Sequence, residues 1–147
     1  MSDVIEQTIH IDARPDMVMA VISNIDRYLE WAPQYKEVQV IETDTTGRVI
    51  RARLTLDALV FTDSQVCDFT WAPDGLEVSW VLSQSKLVRS LEGSYHLIPQ
   101  GSGTLVGYKI SIDPKFPVAR VIRRRFEREI TNTALRKLKE RVESLSE

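Results

Sequence analysis

Two tyrosines are the best candidates for chemistry in this sequence. Tyr95 and Tyr108 each lie in a segment where apolar and polar residues alternate, the pattern of a strand with one buried face. Arg89 is in phase with Tyr95, and Asp63 lies in another alternating segment. In an apolar cavity such side chains can polarise a ketone or move protons. The alternative is that both tyrosines pack in the core, with the hydroxyl as their one polar group. We favour core packing over catalysis, but not over contact with a ligand.

The histidines and the cysteine do not form a nucleophilic or metal-binding set. His10 and His96 fall on the polar faces of their segments, so no interior triad is expected. Cys67 is in phase with Phe69 and Trp71, which predicts a buried apolar residue. One cysteine and two distant histidines do not make a zinc site, and no glycine-rich phosphate loop precedes a helix. We therefore expect no metal and no cofactor, and we assign no catalytic residue.

The composition is that of an ordinary globular chain. It has 147 residues, 43% of them hydrophobic and 27% charged, which predicts a single domain over 1–147. The net charge of −2 argues against a nucleic-acid partner, because such domains are usually basic. No long apolar run or secretory leader is visible, and the lone cysteine gives no sign of an oxidising compartment. The expected location is the cytoplasm.

The elements that would position the tyrosines are mostly strands joined by short turns. Pro15 suits the first turn of a helix, and a second short helical turn reaches Trp31. Turn signals such as Pro73-Asp74-Gly75 separate the strands and imply an antiparallel meander. The predicted strands are 4–12, 35–43, 48–56, 59–71, 76–83, 88–98 and 104–113.

A long helix is predicted over 118–145, with apolar residues mostly four apart, from Ile122 and Phe126 to Leu145. Each four-residue step overshoots a turn by about 40°, so this stripe winds around the helix. The helix is the only predicted element large enough to cover the apolar face of the sheet. We predict an α+β helix-grip fold, in which a curved antiparallel sheet of about seven strands wraps around the C-terminal helix, with two short helices after the first strand.

Such a fold encloses a hollow, which is by default a small-molecule site. Tyr95, Tyr108 and Arg89 would hold a polar group of the ligand, and Trp31 would stand at the entrance. The predicted ligand-binding residues are Trp31, Leu54, Leu56, Phe61, Trp80, Arg89, Tyr95, Tyr108, Phe126 and Ile130.

Several stretches carry a family resemblance that covers nearly the whole chain. They are Ile9–Pro15, Ile25–Pro33, Leu91–Leu97, Gly103-Thr104 leading to Tyr108, and Asp113–Pro117. On these the chain resembles the START-like, helix-grip (SRPBCC) superfamily, in its bacterial polyketide cyclase/dehydrase and lipid-transport branch, close to coenzyme Q-binding-like actinobacterial proteins. The resemblance implies a hydrophobic cavity between sheet and helix. Members of the superfamily include lipid carriers, quinone-binding chaperones, polyketide aromatase/cyclases and hormone receptors.

Three functions follow from this reading. The first is binding, with transport left open, of a small hydrophobic molecule such as a lipid, isoprenoid, quinone or polyketide. The alternative is a polyketide cyclase/aromatase or dehydratase that uses the same cavity. The third is a protein–protein module, which predicts a filled cavity, and bulky interior residues such as Phe69 and Trp80 favour a small one.

The final helix also carries a row of cations at spacing four, Arg120, Arg124 and Arg128. None of them has an acidic residue four positions later. One interpretation is an ordinary solvated helix face. The other is transient contact with an anionic membrane or an acyl-carrier protein. The oligomeric state stays open.

Overall fold

A computed structural model describes residues 4–57 and 62–145, and it confirms the predicted α+β helix-grip architecture. A 3₁₀ helix, Ile25–Glu30, follows the first α-helix. The other elements, in chain order, are β1 Ile5–Ile11, α1 Pro15–Ser23, β2 Tyr35–Thr43, β3 Val49–Asp57, β4 Thr62–Trp71, β5 Glu77–Gln84, β6 Val88–Gln100, β7 Gly103–Pro114 and α2 Arg120–Leu145.

The described strands form one curved antiparallel sheet in the order β1-β7-β6-β5-β4-β3-β2. Consecutive strands from β2 to β7 are neighbours in the sheet, as in a meander. The exception is β1, which pairs with the last strand, β7. The alternation predicted from the sequence is present: on β7, Tyr108 and Ile110 are buried on the face that packs inward. His10 and His96 lie on the other face, with side chains 42% and 37% exposed, beside Asp12 and Glu77 respectively.

The predicted turns are confirmed by their backbone conformation. Gly47, Gly75 and Gly101 have φ of 89°, 74° and 62°, a left-handed region that favours glycine. Each lies between consecutive antiparallel strands. These turns keep neighbouring strands in register and so align one face of the sheet.

Helix α2 covers the sheet, but its buried seam differs from the predicted stripe. Ile122 and Leu145, which belong to the predicted apolar stripe, are 48% and 56% exposed. Because each four-residue step overshoots a turn, the two ends of the apolar stripe lie away from the face that contacts the sheet. Glu127, Thr131 and Leu135 are buried on that face. The buried residues of α2 are Phe126, Glu127, Thr131, Ala134, Leu135, Leu138 and Val142.

Polar contacts fix α2 along its length. The buried Glu127 carboxylate accepts a hydrogen bond from the Ile112 backbone N–H on β7, 3.3 Å away. Near the other end, Glu143 accepts from the Asp12 backbone N–H at 3.0 Å and from Lys139 at 2.7 Å. The Asp12 hydrogen bond and then Lys139 lower the pKa of Glu143. Among the helices in the described ranges, none has the length and apolarity to cross a membrane.

Candidate functional site

Aromatic side chains enclose a pocket between the inner face of the sheet and the 3₁₀ helix. Each strand from β2 to β7 contributes one residue to it, because the inward positions of neighbouring strands lie side by side. The free volume at its centre is about 20 Å³, room for about one water molecule. The lining residues are Tyr28, Trp31, Ala32, Gln34, Tyr35, Leu54, Phe69, Trp80, Tyr95 and Tyr108.

Trp80 is the centre of the aromatic packing. Its ring centroid lies 6.1 Å from Phe69, 5.5 Å from Tyr95 and 5.8 Å from Tyr108. Gly93 faces Trp80 on the next strand, and a Cβ placed there would stand 2.4 Å from the indole carbons. The indole therefore lies over a gap that a glycine leaves in β6, and any other residue at 93 would displace it.

Tyr95 and Tyr108 form a directly opposed cross-strand pair, with ring centroids 4.9 Å apart. No hydrogen bond to either hydroxyl is found among the described residues, and neither oxygen is among the fully buried unpartnered atoms, so each keeps some accessible surface at the pocket. Tyr28 differs, because its hydroxyl donates to the Ile22 carbonyl at 2.5 Å. Burial raises the pKa of both Tyr95 and Tyr108 well above its usual value, so both stay protonated at neutral pH. The pair therefore offers two hydrogen-bond donors to an oxygen acceptor.

Gln34 and Tyr35 add a second polar edge. Burial raises the pKa of Tyr35, while a hydrogen bond with the side chain of Gln34 acts to lower it. Gln34 Oε1 is buried and has no partner among the described residues. Buried polar atoms are normally hydrogen-bonded, so an unpartnered amide at the pocket wall is suited to contact a ligand or a water.

The pocket has no obvious proton acceptor. None of its described lining residues is a carboxylate or a histidine. The thiol of Cys67 lies behind the wall, and burial raises its pKa to about 12, so it stays protonated near neutral pH. The arrangement can donate hydrogen bonds and bury apolar surface, but the lining itself offers no general base.

A separate polar cluster lies further along the inner face. Asp63, predicted to face inward, is buried and accepts from Gln65 Nε2 at 3.2 Å and from the Ser85 hydroxyl. Ser85 Oγ in turn accepts the backbone N–H groups of Leu87 and Val88 at 3.2 and 3.0 Å. Through its hydrogen bond with Ser85, the Asp63 carboxylate therefore stabilises the turn between β5 and β6.

The pocket brings together half of the residues predicted to bind ligand: Trp31, Leu54, Trp80, Tyr95 and Tyr108. Leu56, Phe126 and Ile130 pack in the core without lining the pocket, and Phe61 lies outside the described residues.

The expectation that Arg89 faces the interior is wrong. Its side chain is 63% exposed and pairs with Asp113 at 3.0 Å. The register of β6 against β7 shifts between Val88 and Ser90, and this irregularity breaks the alternation on which the prediction rested.

Sequence reasoning missed five lining residues: Tyr28, Ala32, Gln34, Tyr35 and Phe69. Phe69 was assigned to the apolar face and could have been added from its phase alone. Tyr28, Ala32 and Gln34 come from the 3₁₀ helix and the turn after it, and strand alternation says nothing about those segments. Tyr35 is the first residue of β2.

Trp31 separates the pocket from the outside. It packs edge-on against Tyr28, with ring centroids 5.2 Å apart, and is half-buried. It also borders two outer grooves against α2, with volumes of about 270 and 390 Å³. The preceding residue, Glu30, accepts hydrogen bonds from Arg141 of α2 at 2.6 Å and from Arg27 at 3.2 Å. The contact with Arg141 ties the 3₁₀ helix to α2, and the contact with Arg27 lies within the 3₁₀ helix itself.

A family model described as polyketide cyclase/dehydrase and lipid transport matches residues 3–143. No curated protein matches the chain. The predicted closeness to coenzyme Q-binding proteins stays a prediction. Across residues 4–57 and 62–145 the structure holds no cluster of three or more potential metal ligands.

Solved structures share the fold at low identity. A START superfamily protein from Mycobacterium smegmatis is similar with a TM-score of 0.89 and 19% identity, over 97% of this chain and 98% of that one. The Zhui aromatase/cyclase from Streptomyces sp. R1128 gives 0.88 and 13%, over 100% and 97%. The di-domain aromatase/cyclase StfQ of the steffimycin pathway gives 0.82 and 14%, over 99% of this chain and 52% of that one. At such identities the likeness shows the fold alone.

Proposed function

The chain belongs to the polyketide cyclase/dehydrase and lipid-transport family, and from this premise we propose that it binds a small, flat hydrophobic molecule that carries a carbonyl oxygen. Family and fold support a hydrophobic-ligand or polyketide cyclase/aromatase-type role. The observation that carries the finer proposal is the Tyr95–Tyr108 pair, two protonated tyrosines on neighbouring strands that both line a pocket of aromatic rings. A quinone or an aromatic polyketide has the matching shape and acceptor.

The proposed affinity comes mainly from the rings. Aromatic contacts contribute about 0.5–1.5 kcal/mol each beyond the area they bury. A hydrogen bond from Tyr95 or Tyr108 adds about 0.5–1.5 kcal/mol, and it also selects ligands that have an acceptor. Gln34 would contact a second polar group at the pocket edge.

Entry of such a ligand requires the pocket to open, because its free volume holds about one water. We place the entrance at Trp31, which borders both the pocket and the outer grooves. Movement of the 3₁₀ helix would break the hydrogen bond between Arg141 and Glu30, which is exposed enough to reform in water.

Two other functions make different demands. A cyclase/aromatase or dehydratase would use Tyr95 or Tyr108 as an acid, but its base would have to come from water or substrate, since the described lining has none. A protein–protein module would need no cavity, and the small free volume favours it. We rank binding first because the two unpartnered hydroxyls have no use in a filled core. The proposed location is the cytoplasm.

The test has two stages. Native mass spectrometry of freshly purified protein, followed by organic extraction, would show whether a hydrophobic molecule copurifies. Quenching of tryptophan fluorescence would then compare menadione, a naphthoquinone, with naphthalene, which has the same ring size but no carbonyl. We expect menadione to bind more tightly, and Tyr95→Phe or Tyr108→Phe to remove about a tenfold preference, the value of one hydrogen bond.

Tyr28→Phe is the matched control, since it deletes a pocket hydroxyl that is already bonded to Ile22. It should leave the preference for menadione unchanged. A bare protein mass together with no binding of either probe would overturn the proposal and favour the interaction module. Conversion of a polyketide substrate would favour the enzyme.

A further inference from the structure

The charge of this chain is unevenly distributed. Residues 115–128 contain six basic residues and one acidic residue, a net charge of +5. The rest of the chain contains 13 basic and 20 acidic residues, a net charge of −7. An acidic protein thus has one strongly basic segment, which covers the approach to α2 and its first turns.

Apolar side chains lie within this basic segment. Val121 is 74% exposed and Ile122 is 48% exposed, among the exposed Arg120, Arg124 and Arg125. The buried positions of α2 in the described structure begin only at Phe126. The first turns of the helix therefore project past the core, with two aliphatic side chains in water between arginines.

A second segment adds to the same surface. Lys115 Nζ donates to the Ser85 carbonyl at 3.0 Å, and the Lys115 backbone N–H donates to the Leu87 carbonyl at 2.8 Å. These bonds hold the turn between β5 and β6, with its exposed Lys86, beside the segment that leads into α2. We call the combined surface the basic end. It comprises Lys86, Lys115, Arg120, Val121, Ile122, Arg124, Arg125 and Arg128.

The described acidic residues near the basic end are each paired. Glu127 is fully buried, lies 3.9 Å from Arg123 and accepts from the backbone of β7. Glu129 pairs with Arg125 at 3.3 Å, and Asp113 pairs with Arg89. The side chains of Arg120, Arg124 and Arg128 are exposed at the surface.

We infer that the basic end docks on an anionic lipid surface, with Val121 and Ile122 inserted at the headgroup level. Clustered Lys and Arg residues are attracted to anionic headgroups, and adjacent aliphatic side chains bury their surface at the acyl boundary. The high exposure of Val121 marks a protrusion rather than a groove. A protruding apolar side chain ringed by cations can insert between lipids, whereas a protein partner would have to supply a matching pocket.

This inference is independent of the proposed function, because the basic end and the aromatic pocket share no residue. A protein that binds no ligand could still dock on lipid, and the reverse also holds. The two proposals therefore fail separately.

The test is flotation of the full chain with vesicles. One set is pure phosphatidylcholine, and the other is an equal mixture of phosphatidylcholine and phosphatidylglycerol. We expect affinity for the anionic vesicles to be roughly tenfold or more higher, and to fall at high salt. The triple variant Arg120→Gln, Arg124→Gln, Arg128→Gln should reduce binding to the level of pure phosphatidylcholine.

The matched control is Arg14→Gln, Arg48→Gln, Arg53→Gln, which removes the same charge from other exposed positions. It should retain most of the vesicle binding. The double variant Val121→Ser, Ile122→Ser keeps the charge and should weaken binding severalfold, which a purely ionic contact would not show. Circular dichroism would confirm that each variant is folded.

Equal losses in the two triple variants would overturn the inference, as would equal binding to both vesicle types. Binding to an acidic acyl-carrier protein without binding to vesicles would also overturn it. Menadione binding by the Arg120, Arg124 and Arg128 variant should match that of the unmodified chain, which separates this test from that of the pocket.

Discussion

The inner face of the sheet carries two sets of polar side chains that differ in their hydrogen bonding. Around Asp63, the carboxylate, the Gln65 amide and the Ser85 hydroxyl bond to one another and to the backbone of the next turn. In the aromatic pocket, the hydroxyls of Tyr95 and Tyr108 bond to no described protein group. The first group serves the fold, and the second is available to something outside the chain.

The difference has an energetic basis. A buried polar group without a partner costs about 1–3 kcal/mol, whereas a satisfied one contributes modestly to stability. Phenylalanine would fill the same space as Tyr95 or Tyr108, so packing alone does not require their hydroxyls. Tyr28, whose hydroxyl is bonded to the Ile22 carbonyl, and Tyr95, whose hydroxyl is bonded to no described group, should therefore respond differently to the same mutation.

High pH should act on the pocket and give the largest effect. All four tyrosines have a pKa raised above the ordinary value of 10, with burial as the main cause. Below pH 10 both folded and unfolded chains keep the tyrosine protons, but the Cys67 thiol, whose pKa burial raises to about 12, already lowers stability from about pH 9. Above pH 10 only the unfolded chain loses the tyrosine protons, so stability falls as pH rises, by about 1.4 kcal/mol per pH unit for each tyrosine.

Urea denaturation at several alkaline pH values would measure that slope, and ultraviolet absorbance would follow phenolate formation. The native protein should show no phenolate until it unfolds. The double variant Tyr95→Phe, Tyr108→Phe should reduce the slope by about two-fifths, since it removes two of the five groups, the four tyrosines and Cys67, whose pKa is raised. Phenolate formation near pH 10 in folded protein would contradict the pocket as described.

Removal of the carboxylate should cause the next largest effect. Asp63→Ala leaves the Gln65 amide and the Ser85 hydroxyl without their acceptor and loosens the turn that Ser85 holds. We expect a loss of about 3 kcal/mol in the free energy of unfolding, measured by urea denaturation. Menadione affinity of the folded fraction should stay unchanged, because Asp63 does not line the pocket. Reduced affinity in a fully folded variant would erase the distinction between the two groups.

A methyl group on β6 tests the packing that shapes the pocket. In Gly93→Ala the new Cβ would collide with the Trp80 indole, so we expect a loss of about 2 kcal/mol in the free energy of unfolding and weaker menadione binding. Gly107→Ala is the control on the next strand, since its Cβ would meet no atom closer than 3.8 Å. Equal losses in both variants would show that glycine itself, rather than room for Trp80, matters at these positions.

The sequence was sufficient to predict the fold because its signals were local. Alternation defined the strands, and turns such as Pro73-Asp74-Gly75 ordered them. The strand residues Tyr95, Tyr108 and Trp80 were assigned to the interior by phase alone. Tyr28, Gln34 and Tyr35 were missed because the path of the chain after the 3₁₀ helix depends on tertiary packing, not on any short-range pattern.

Broken periodicity accounts for two features of the structure. Arg89 was placed inside because alternation was continued through an irregularity that the sequence does not mark. Ile122 belongs to the apolar stripe of the helix, and because that stripe winds around the helix, the structure leaves Ile122 exposed beside Val121. Bulky interior residues such as Phe69 and Trp80 favoured a small cavity, but its volume could not be predicted, because it depends on how Trp80 packs against Phe69, Tyr95 and Tyr108.

The smallest effect is the most direct test of the comparison, since it makes one chemical change at two sites. Tyr28→Phe deletes a hydroxyl bonded to the Ile22 carbonyl and should lower the free energy of unfolding by about 1 kcal/mol. Tyr95→Phe deletes a hydroxyl that has no described partner, so stability should change by less than about 0.5 kcal/mol and can rise. Ligand affinity should respond in the opposite order. Urea denaturation and menadione titration of the two variants measure both, and a larger stability loss in Tyr95→Phe would mean that its hydroxyl serves the fold.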